Sequence, residues 1–125
     1  MNELTRAEEQ VMQILWKIER GFVKDVVEQL PNPKPAYNTI STIIRILEKK
    51  GFVGHKAYGK THEYFPVVSK KDYTKSFFGS FLDRYFGNSF QQLVSFFSNE
   101  NEMSLEEMEK IRLLLEKEIE NKKEK

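Results

Sequence analysis

The chain has 125 residues, enough for one domain or for one domain with an appendage. Its 20 basic and 19 acidic residues nearly cancel, so the overall charge gives no sign of a nucleic-acid partner. The absence of cysteine excludes disulfides, thiol catalysis and cysteine metal sites. The first ten residues are polar and unlike a signal peptide, and no apolar run reaches the roughly 20 residues that span a bilayer. We therefore expect a cytoplasmic protein.

The charges are unevenly distributed along the chain. Residues 34–72 hold eight basic and three acidic side chains, whereas residues 99–125 hold six basic and nine acidic ones. A basic middle and an acidic end suggest one part that faces an anion and another that faces a different partner.

Two helices are predicted before residue 31. Thr5 and Glu8 have the spacing of a capping box, and the apolar residues after them recur at helical intervals, which predicts a helix from Thr5 to Ile18. Trp16 on the flank of this helix is expected to pack in the core. Gly21 ends the segment, and a short second helix is predicted over Phe22–Leu30 with its valines facing inward.

A third helix, Tyr37–Lys50, follows a turn that contains three prolines. This order is typical of a helix-turn-helix. Small polar and cationic side chains on an outer face suit a helix that enters a DNA major groove, but an ordinary solvated face fits this helix equally well. The inner face is formed by Ile40, Ile43, Ile44 and Leu47, and the outer face by Asn38, Thr42, Arg45 and Lys49.

The segment after Gly51 alternates like a β-hairpin, with Gly59 and Lys60 at the reversal and Pro66 near the end of the second strand. A hairpin behind such a helix is the wing of a winged helix, and this addition favours DNA binding. The residues expected to pack on the helices are Phe52, Val53, Tyr64 and Phe65, and those expected to face phosphates are His55, Lys56, Lys60 and His62.

The last third of the chain is predicted to form helices that begin at Ser69, Ser89 and Ser104, with a break at Gly87 and Asn88. Seven of the ten phenylalanines lie between Phe77 and Phe97. Short helices cannot bury this aromatic surface among themselves; a cofactor or lipid pocket could cover it, but a second copy of the chain is the more common solution. The expected dimer contacts are Phe77, Phe78, Phe81, Leu82, Tyr85, Phe90, Leu93, Val94, Phe97, Met108, Ile111 and Leu115.

The predicted fold is thus mainly α with a small antiparallel β wing. Residues 1–70 form a winged helix-turn-helix DNA-binding domain, and residues 71–125 form a helical dimerisation domain. With this order assembled, nearly the whole chain resembles the penicillinase-repressor (BlaI/MecI/CopY) family of bacterial transcription repressors. The resemblance is carried by LTRAEEQVMQILW, YNTISTIIRILEKKGFV, GKTHEYFPVVSKKDY, FFGSFLDRYFGNSFQQLVSFF and MSLEEMEKIRLLLEK.

The resemblance implies a homodimer that blocks transcription from a dyad-symmetric operator, typically with TACA/TGTA half-sites. By the family pattern, the base-reading positions are Asn38, Thr39, Ser41, Thr42 and Arg45. We expect the DNA backbone to be contacted by Tyr37, Lys49, Lys50, His55, Lys56, Lys60 and His62.

Several positions depart from the family pattern. Ile46 stands where an Arg is common, and Ala36-Tyr37 replaces the usual Ser-Pro or Thr start of the third helix, which affects its cap and operator preference. Relatives that control β-lactam resistance are cut at an Asn-Phe bond through a membrane sensor-protease pathway. Phe96-Phe97 stands at that place here, so that cleavage is not carried over. Copper sensing through C-terminal cysteines is excluded.

Two other function classes can be compared with DNA binding. An enzyme is disfavoured because the two histidines, His55 and His62, have no carboxylate cluster or nucleophile nearby, and the chain has neither a metal-ligand pattern nor a glycine-rich phosphate loop. We expect no cofactor and no metal. The alternative is a winged-helix protein-interaction module without DNA binding, which would need a large apolar anchor on the outer face of the third helix.

Overall fold

The structure is a computed structural model that describes residues 2–124. Within those residues the fold is mainly helical with one antiparallel two-stranded sheet, which confirms the predicted fold class. The chain divides into two compact units, Met1–Phe78 and Gly79–Lys125. The elements are α1 (Arg6–Ile18), α2 (Val23–Gln29), α3 (Tyr37–Lys49), β1 (Val53–Tyr58), β2 (Thr61–Pro66), α4 (Lys70–Phe86), α5 (Phe90–Asn99) and α6 (Leu105–Lys123).

The first unit is built around the apolar faces of its three helices. In α3 the inner-face prediction is confirmed, because Ile40, Ile44 and Leu47 are buried and Ile43 packs against the same cluster. Trp16 also packs against this core, and its indole Nε1 donates to the carbonyl of Val68 at 3.0 Å. The core is completed by Leu4, Val11, Met12, Leu15, Val23, Val26, Leu30, Phe52, Val53, Tyr64 and Tyr73.

Gly51 connects the end of α3 to the wing through a Schellman motif. The amide of Gly51 donates to the carbonyl of Glu48 at 3.0 Å, and the amide of Phe52 donates to the carbonyl of Leu47 at 2.9 Å. Gly51 has a φ of 85°, a left-handed conformation that glycine adopts without the Cβ penalty. The chain is thereby reversed at a fixed angle, so that β1 starts directly beside the last turn of α3.

The wing has the predicted reversal but not all of the predicted inward contacts. Gly59, with a φ of 64°, and Lys60 connect β1 to β2, and Val53 pairs with Pro66 at the far end. Phe65 is 37% exposed whereas Tyr64 is 4% exposed, so the prediction that both pack on the helices is wrong for Phe65. Successive side chains on a strand point to opposite faces, and Tyr64 takes the inner one.

Glu8 ties the start of α1 to the end of α3. Its carboxylate accepts from the amide of Thr5 at 2.9 Å, while its own amide donates to the hydroxyl of Thr5 at 3.2 Å, which confirms the capping box. The ammonium of Lys50 lies 2.8 Å and 2.9 Å from the two carboxylate oxygens. Burial raises the pKa of the Glu8 carboxyl, but the hydrogen bonds from Lys50 and Thr5 outweigh burial, and the net pKa is lowered.

Replacing this carboxylate should cost stability that depends on pH. We expect Glu8→Gln to lower the free energy of unfolding by about 1 kcal/mol at neutral pH, because a charge-assisted contact to the partly exposed Lys50 is lost. Because the pKa of Glu8 is lower in the folded protein than the value of 4.5 in the unfolded chain, its carboxylate stabilises the fold above pH 4.5. This stabilisation is lost as the pH falls through the folded-state pKa. Urea unfolding should therefore show the gap between wild type and variant closing below pH 4.5. Glu9→Gln, an exposed neighbour in the same turn, serves as the control, and an equal pH-dependent loss there would contradict the role of Glu8.

The helices after residue 69 begin where the local sequence predicted, and α4 ends at the predicted break, just before Gly87 and Asn88. The hydroxyls of Ser69, Ser89 and Ser104 accept amide hydrogen bonds from residues three positions later, at 3.0–3.1 Å. Tyr73 in the first turn of α4 is buried in the core of the first unit, where its hydroxyl accepts from the amide of Leu4 at 2.9 Å. The first compact unit therefore extends beyond residue 70, and the functional boundary between residues 70 and 71 stays a prediction.

Candidate nucleic-acid interface

The outer face of α3 presents small polar and cationic groups to solvent. Asn38, Thr42, Arg45 and Lys49 are all exposed, as is Thr39 beside them. The hydroxyl of Thr42 donates to the carbonyl of Asn38 at 2.9 Å, so its oxygen remains free to accept a hydrogen bond from a ligand. These groups extend along more than two turns of the helix, with the exposed side chain of Ile46 beside them.

Ser41 differs from the other predicted base-reading residues because it is buried, with 9% of its surface exposed. It lies on the edge of α3 that turns toward the wing and lines a pocket there. Its part in base reading stays a prediction, and the exposed members of the set carry the proposal below.

The start of α3 has no side-chain cap, as the Ala36-Tyr37 sequence predicted. Ala36 occupies the N-cap position, and its carbonyl accepts from the amides of Thr39 at 3.1 Å and Ile40 at 3.2 Å. The amides of the first turn are therefore not covered by a capping hydroxyl or carboxylate, and helix N-terminal amides of this kind can donate to phosphate oxygens. Tyr37, at the first helical position, is 53% exposed.

The wing carries its histidines as a stacked pair. The rings of His55 and His62 lie 4.1 Å apart between centroids and only 4° from parallel. His55 Nδ1 also contacts the carboxylate of Glu48 in the last turn of α3. This contact fixes the base of the wing against the helix. Lys56 and Lys60 are exposed, and the Lys56 ammonium lies 5.3 Å from the centroid of the Tyr58 ring.

Lys50 differs from the other residues that were predicted to contact the DNA backbone, because it is already paired with a carboxylate. Its ammonium is held by Glu8, and its side chain is 28% exposed. The geometry assigns Lys50 mainly to joining α3 to α1, because a phosphate would have to compete with a carboxylate that makes two contacts.

Tyr64 belongs to the site as well as to the core. The sequence predicted only its packing role. Its backbone exchanges two hydrogen bonds with Gly21, at 2.8 Å and 2.9 Å, which attaches β2 to the segment between α1 and α2. Burial raises the pKa of the Tyr64 hydroxyl, the charge of Glu48 adds to this, and Arg45 opposes it. Arg45 acts on this pKa through its positive charge and through a side-chain hydrogen bond that the guanidinium donates. The signal available in the sequence was a tyrosine, rather than a phenylalanine, at an inward strand position.

The second unit exposes most of its apolar residues. Among residues 79–124, Leu82 is the one buried apolar side chain, at 2% exposure, and eleven large apolar side chains are exposed. Leu82 is thus already covered by its own chain, and its part in a dimer stays a prediction. The exposed set is Tyr85, Phe90, Val94, Phe96, Phe97, Leu105, Ile111, Leu113, Leu114, Leu115 and Ile119.

An apolar groove of 420 Å³ lies between α5 and α6 in this unit. Val94 contributes from α5, and Ile111 and Leu115 contribute from α6. Met108 also lines the groove and is partly buried. Phe77 and Phe78 belong to the first unit; Phe77 is exposed and Phe78 is partly buried. Phe81 and Leu93 are partly buried.

Within residues 2–124, no three acidic or histidine side chains are grouped so that they could hold a metal ion. Over the same residues, no helix has both the length and the apolar content that a membrane span requires.

Comparison with known proteins gives one family. The model of the penicillinase repressor family matches residues 4–117. The methicillin resistance regulatory protein MecI of Staphylococcus aureus (strain N315) is 29% identical over 116 residues, which cover 92% of this chain and 94% of MecI. The penicillinase repressor of Bacillus licheniformis is 28% identical over 123 residues, 98% of this chain and 96% of that protein.

A solved structure supports the same relationship. The solution structure of the DNA-binding domain of the repressor BlaI superposes with a TM-score of 0.50 at 29% identity, covering 57% of this chain and 88% of that domain. The homologues are transcriptional repressors and not enzymes. The match over 4–117, together with the winged-helix fold, shows that this chain belongs to the penicillinase repressor family.

Proposed function

We propose that the chain is a sequence-specific transcriptional repressor that acts as a homodimer on a dyad-symmetric operator. The observation that carries this proposal is the exposed outer face of α3, where Asn38, Thr42, Arg45 and Lys49 lie on a helix supported from behind by the core. The four side chains are polar or cationic, whereas a protein-interaction module would need a large apolar anchor; the exposed apolar side chain beside them is Ile46, 40% exposed.

In this proposal α3 lies in the major groove. An Asn side chain can bind adenine and an Arg guanidinium can bind guanine, each through two hydrogen bonds, and Thr can serve either base type. We assign these roles to Asn38, Arg45, and Thr39 with Thr42. Phosphate contacts are assigned to Tyr37, Lys49 and the exposed cations of the wing, which fix the register of the helix without reading sequence.

The second unit supports the homodimer. Fully burying one Leu, Ile, Val or Phe side chain contributes roughly 1.5–3 kcal/mol, so the exposed apolar set represents a large unfavourable contact with water. A second copy brings an identical apolar surface, and a two-fold axis pairs each groove with its equivalent. We therefore propose that residues 71–125 form the dimerisation domain and residues 1–70 the DNA-binding domain.

Selection from random duplexes tests this function. We expect the purified chain to enrich a palindrome whose half-sites are about one helical turn, ~34 Å, apart. Enrichment of a single unpaired half-site would contradict the dimer, and failure to enrich any sequence would contradict specific DNA binding.

The exposed cations of the wing lead to a prediction about the salt dependence of DNA binding. Each phosphate contact contributes about −0.9 to the slope of log affinity against log salt concentration. We expect Lys56→Ala to make the slope shallower by about that amount and to weaken every duplex alike, because Lys56 is an exposed cation on the wing and not on α3. Lys17→Ala, which removes an exposed cation from α1, should leave the slope unchanged. A loss confined to one sequence would contradict the phosphate role of Lys56.

A further inference from the structure

Ile46 is an apolar side chain that α3 leaves in contact with water. It is 40% exposed, whereas Ile40, Ile44 and Leu47 of the same helix are buried. A single exposed aliphatic residue is common on protein surfaces, so its meaning depends on where it lies. At about 100° per residue, Ile46 is turned about 100° from Leu47 and about 40° from Thr42, which places it at the edge of the outer face.

Ile46 continues a row of exposed side chains along this edge. Thr39, Thr42 and Ile46 are spaced i, i+3 and i+7, so they are neighbours on the helix surface. The Thr42 hydroxyl donates to the carbonyl of Asn38 at 2.9 Å, so its hydrogen is not available to a base. Each threonine also carries a methyl group, and the row therefore offers apolar contacts beside the hydrogen-bonding groups of Asn38 and Arg45.

The edge of α3 that carries Ile46 lies away from the wing. On the opposite edge, Glu48 contacts His55 of β1. Lys50, one turn after Ile46, is held by Glu8 of α1, whose two carboxylate oxygens lie 2.8 Å and 2.9 Å from its ammonium. The charge of Lys50 is thus already compensated. An isoleucine has neither charge nor hydrogen-bonding groups, so the contact that Ile46 can make is with an apolar group.

The major groove of DNA presents one apolar group, the C5-methyl of thymine. The other groups at the base edges are hydrogen-bond donors and acceptors, and an aliphatic side chain packed against them removes water without replacing its hydrogen bonds. Cytosine, the other pyrimidine, lacks the methyl and carries an amino group at C4. An isoleucine on a helix in this groove therefore favours thymine over cytosine.

We propose that Ile46 is a specificity-determining residue that packs against the C5-methyl of one thymine in each half-site of the operator. This contact rests on the proposed DNA-binding function and adds an apolar readout to the hydrogen bonds assigned to Asn38, Thr39, Thr42 and Arg45. It also gives Ile46 a role other than the apolar anchor of a protein-interaction module.

Deoxyuridine tests this contact, because it is thymidine without the C5-methyl and forms the same base pair. In the operator selected by the wild-type chain, each thymine of one half-site is replaced by uracil, one at a time, and affinity is measured at one fixed salt concentration. At one position the wild type should lose affinity roughly fourfold, the effect of one methyl-sized group no longer removed from water. Ile46→Ala should bind the thymine and uracil duplexes equally at that position, since both changes remove the same contact.

Two further variants serve as controls. Ile46→Val keeps a branched apolar side chain and should retain the preference for thymine. Val67→Ala shortens an aliphatic side chain that is 62% exposed and lies outside α3, and it should lose as much affinity with uracil as the wild type does. Circular dichroism and urea unfolding check that all three variants are folded.

A second pair of duplexes separates the methyl group from the hydrogen bonds of the base pair. Cytosine at the identified position should weaken wild-type binding, and 5-methylcytosine should recover roughly fourfold of the loss. Ile46→Ala should show no such recovery.

The outcomes separate this contact from the function on which it rests. If the wild type binds the operator but Ile46→Ala responds to every uracil as the wild type does, Ile46 does not read thymine, while the proposed function stands. A selected operator without thymine in its half-sites would overturn the contact in the same way. If no sequence is selected, the proposed function fails and the thymine contact fails with it.

Discussion

Leu115→Asp is expected to convert the dimer into folded monomers. Leu115 is 54% exposed within one chain and lines the apolar groove between α5 and α6. Each subunit loses the burial of one leucine and would have to bury an unpaired carboxylate, which costs several kcal/mol. Because a two-fold axis presents the substitution twice, we expect the dimer dissociation constant to rise at least a thousandfold, about 4 kcal/mol.

Sedimentation equilibrium measures this change directly, and circular dichroism checks that the helices are retained. Operator affinity should fall as well, because the two α3 helices no longer bind as a linked pair. Asn121→Asp adds the same single charge to α6 about 120° around the helix from Leu115, and it should leave the dimer intact. A Leu115→Asp protein that still sediments as a dimer would place the interface elsewhere.

Arg45→Ala is expected to weaken binding to the selected operator by roughly tenfold to a hundredfold, about 1–3 kcal/mol. Arg45 is exposed on the outer face of α3 and is not part of the apolar core, so its removal takes away base contacts. An unrelated duplex of equal length should lose much less affinity, because Arg45 contributes only charge there. The measurement is a gel shift with both duplexes at one fixed salt concentration.

Arg6→Ala is the matched control for this experiment, since Arg6 is an exposed arginine at the start of α1. It should leave the ratio of affinities for the two duplexes unchanged. Equal losses on both duplexes in Arg45→Ala would show that Arg45 contacts phosphate and does not read a base.

The features that could be predicted from the sequence are those decided by neighbouring residues. Thr5 and Ser104 start helices because their hydroxyls satisfy amides three positions later, and Gly51 and Gly59 reverse the chain because both have left-handed backbone conformations. The inner face of α3 follows from its apolar spacing alone.

The features that could not be predicted depend on residues far apart in sequence. Lys50 looked like a phosphate contact, but Glu8, 42 positions earlier, holds its ammonium. Tyr64 and Phe65 are both β-forming aromatics, and the pairing of β2 with Gly21 accompanies the inward placement of Tyr64. Leu82 is one of the regularly spaced apolar residues of α4, and that spacing alone does not show which of them are buried within a single chain.

The stoichiometry of the complex tests the homodimer on a palindrome most directly. Native mass spectrometry of the wild-type chain on the duplex selected from random sequence should give two chains per duplex, with the one-chain complex scarce even when DNA is in excess. Shortening the duplex to a single half-site should sharply weaken binding. A one-chain complex of equal affinity on the half-site would contradict the proposal that paired α3 helices read a dyad.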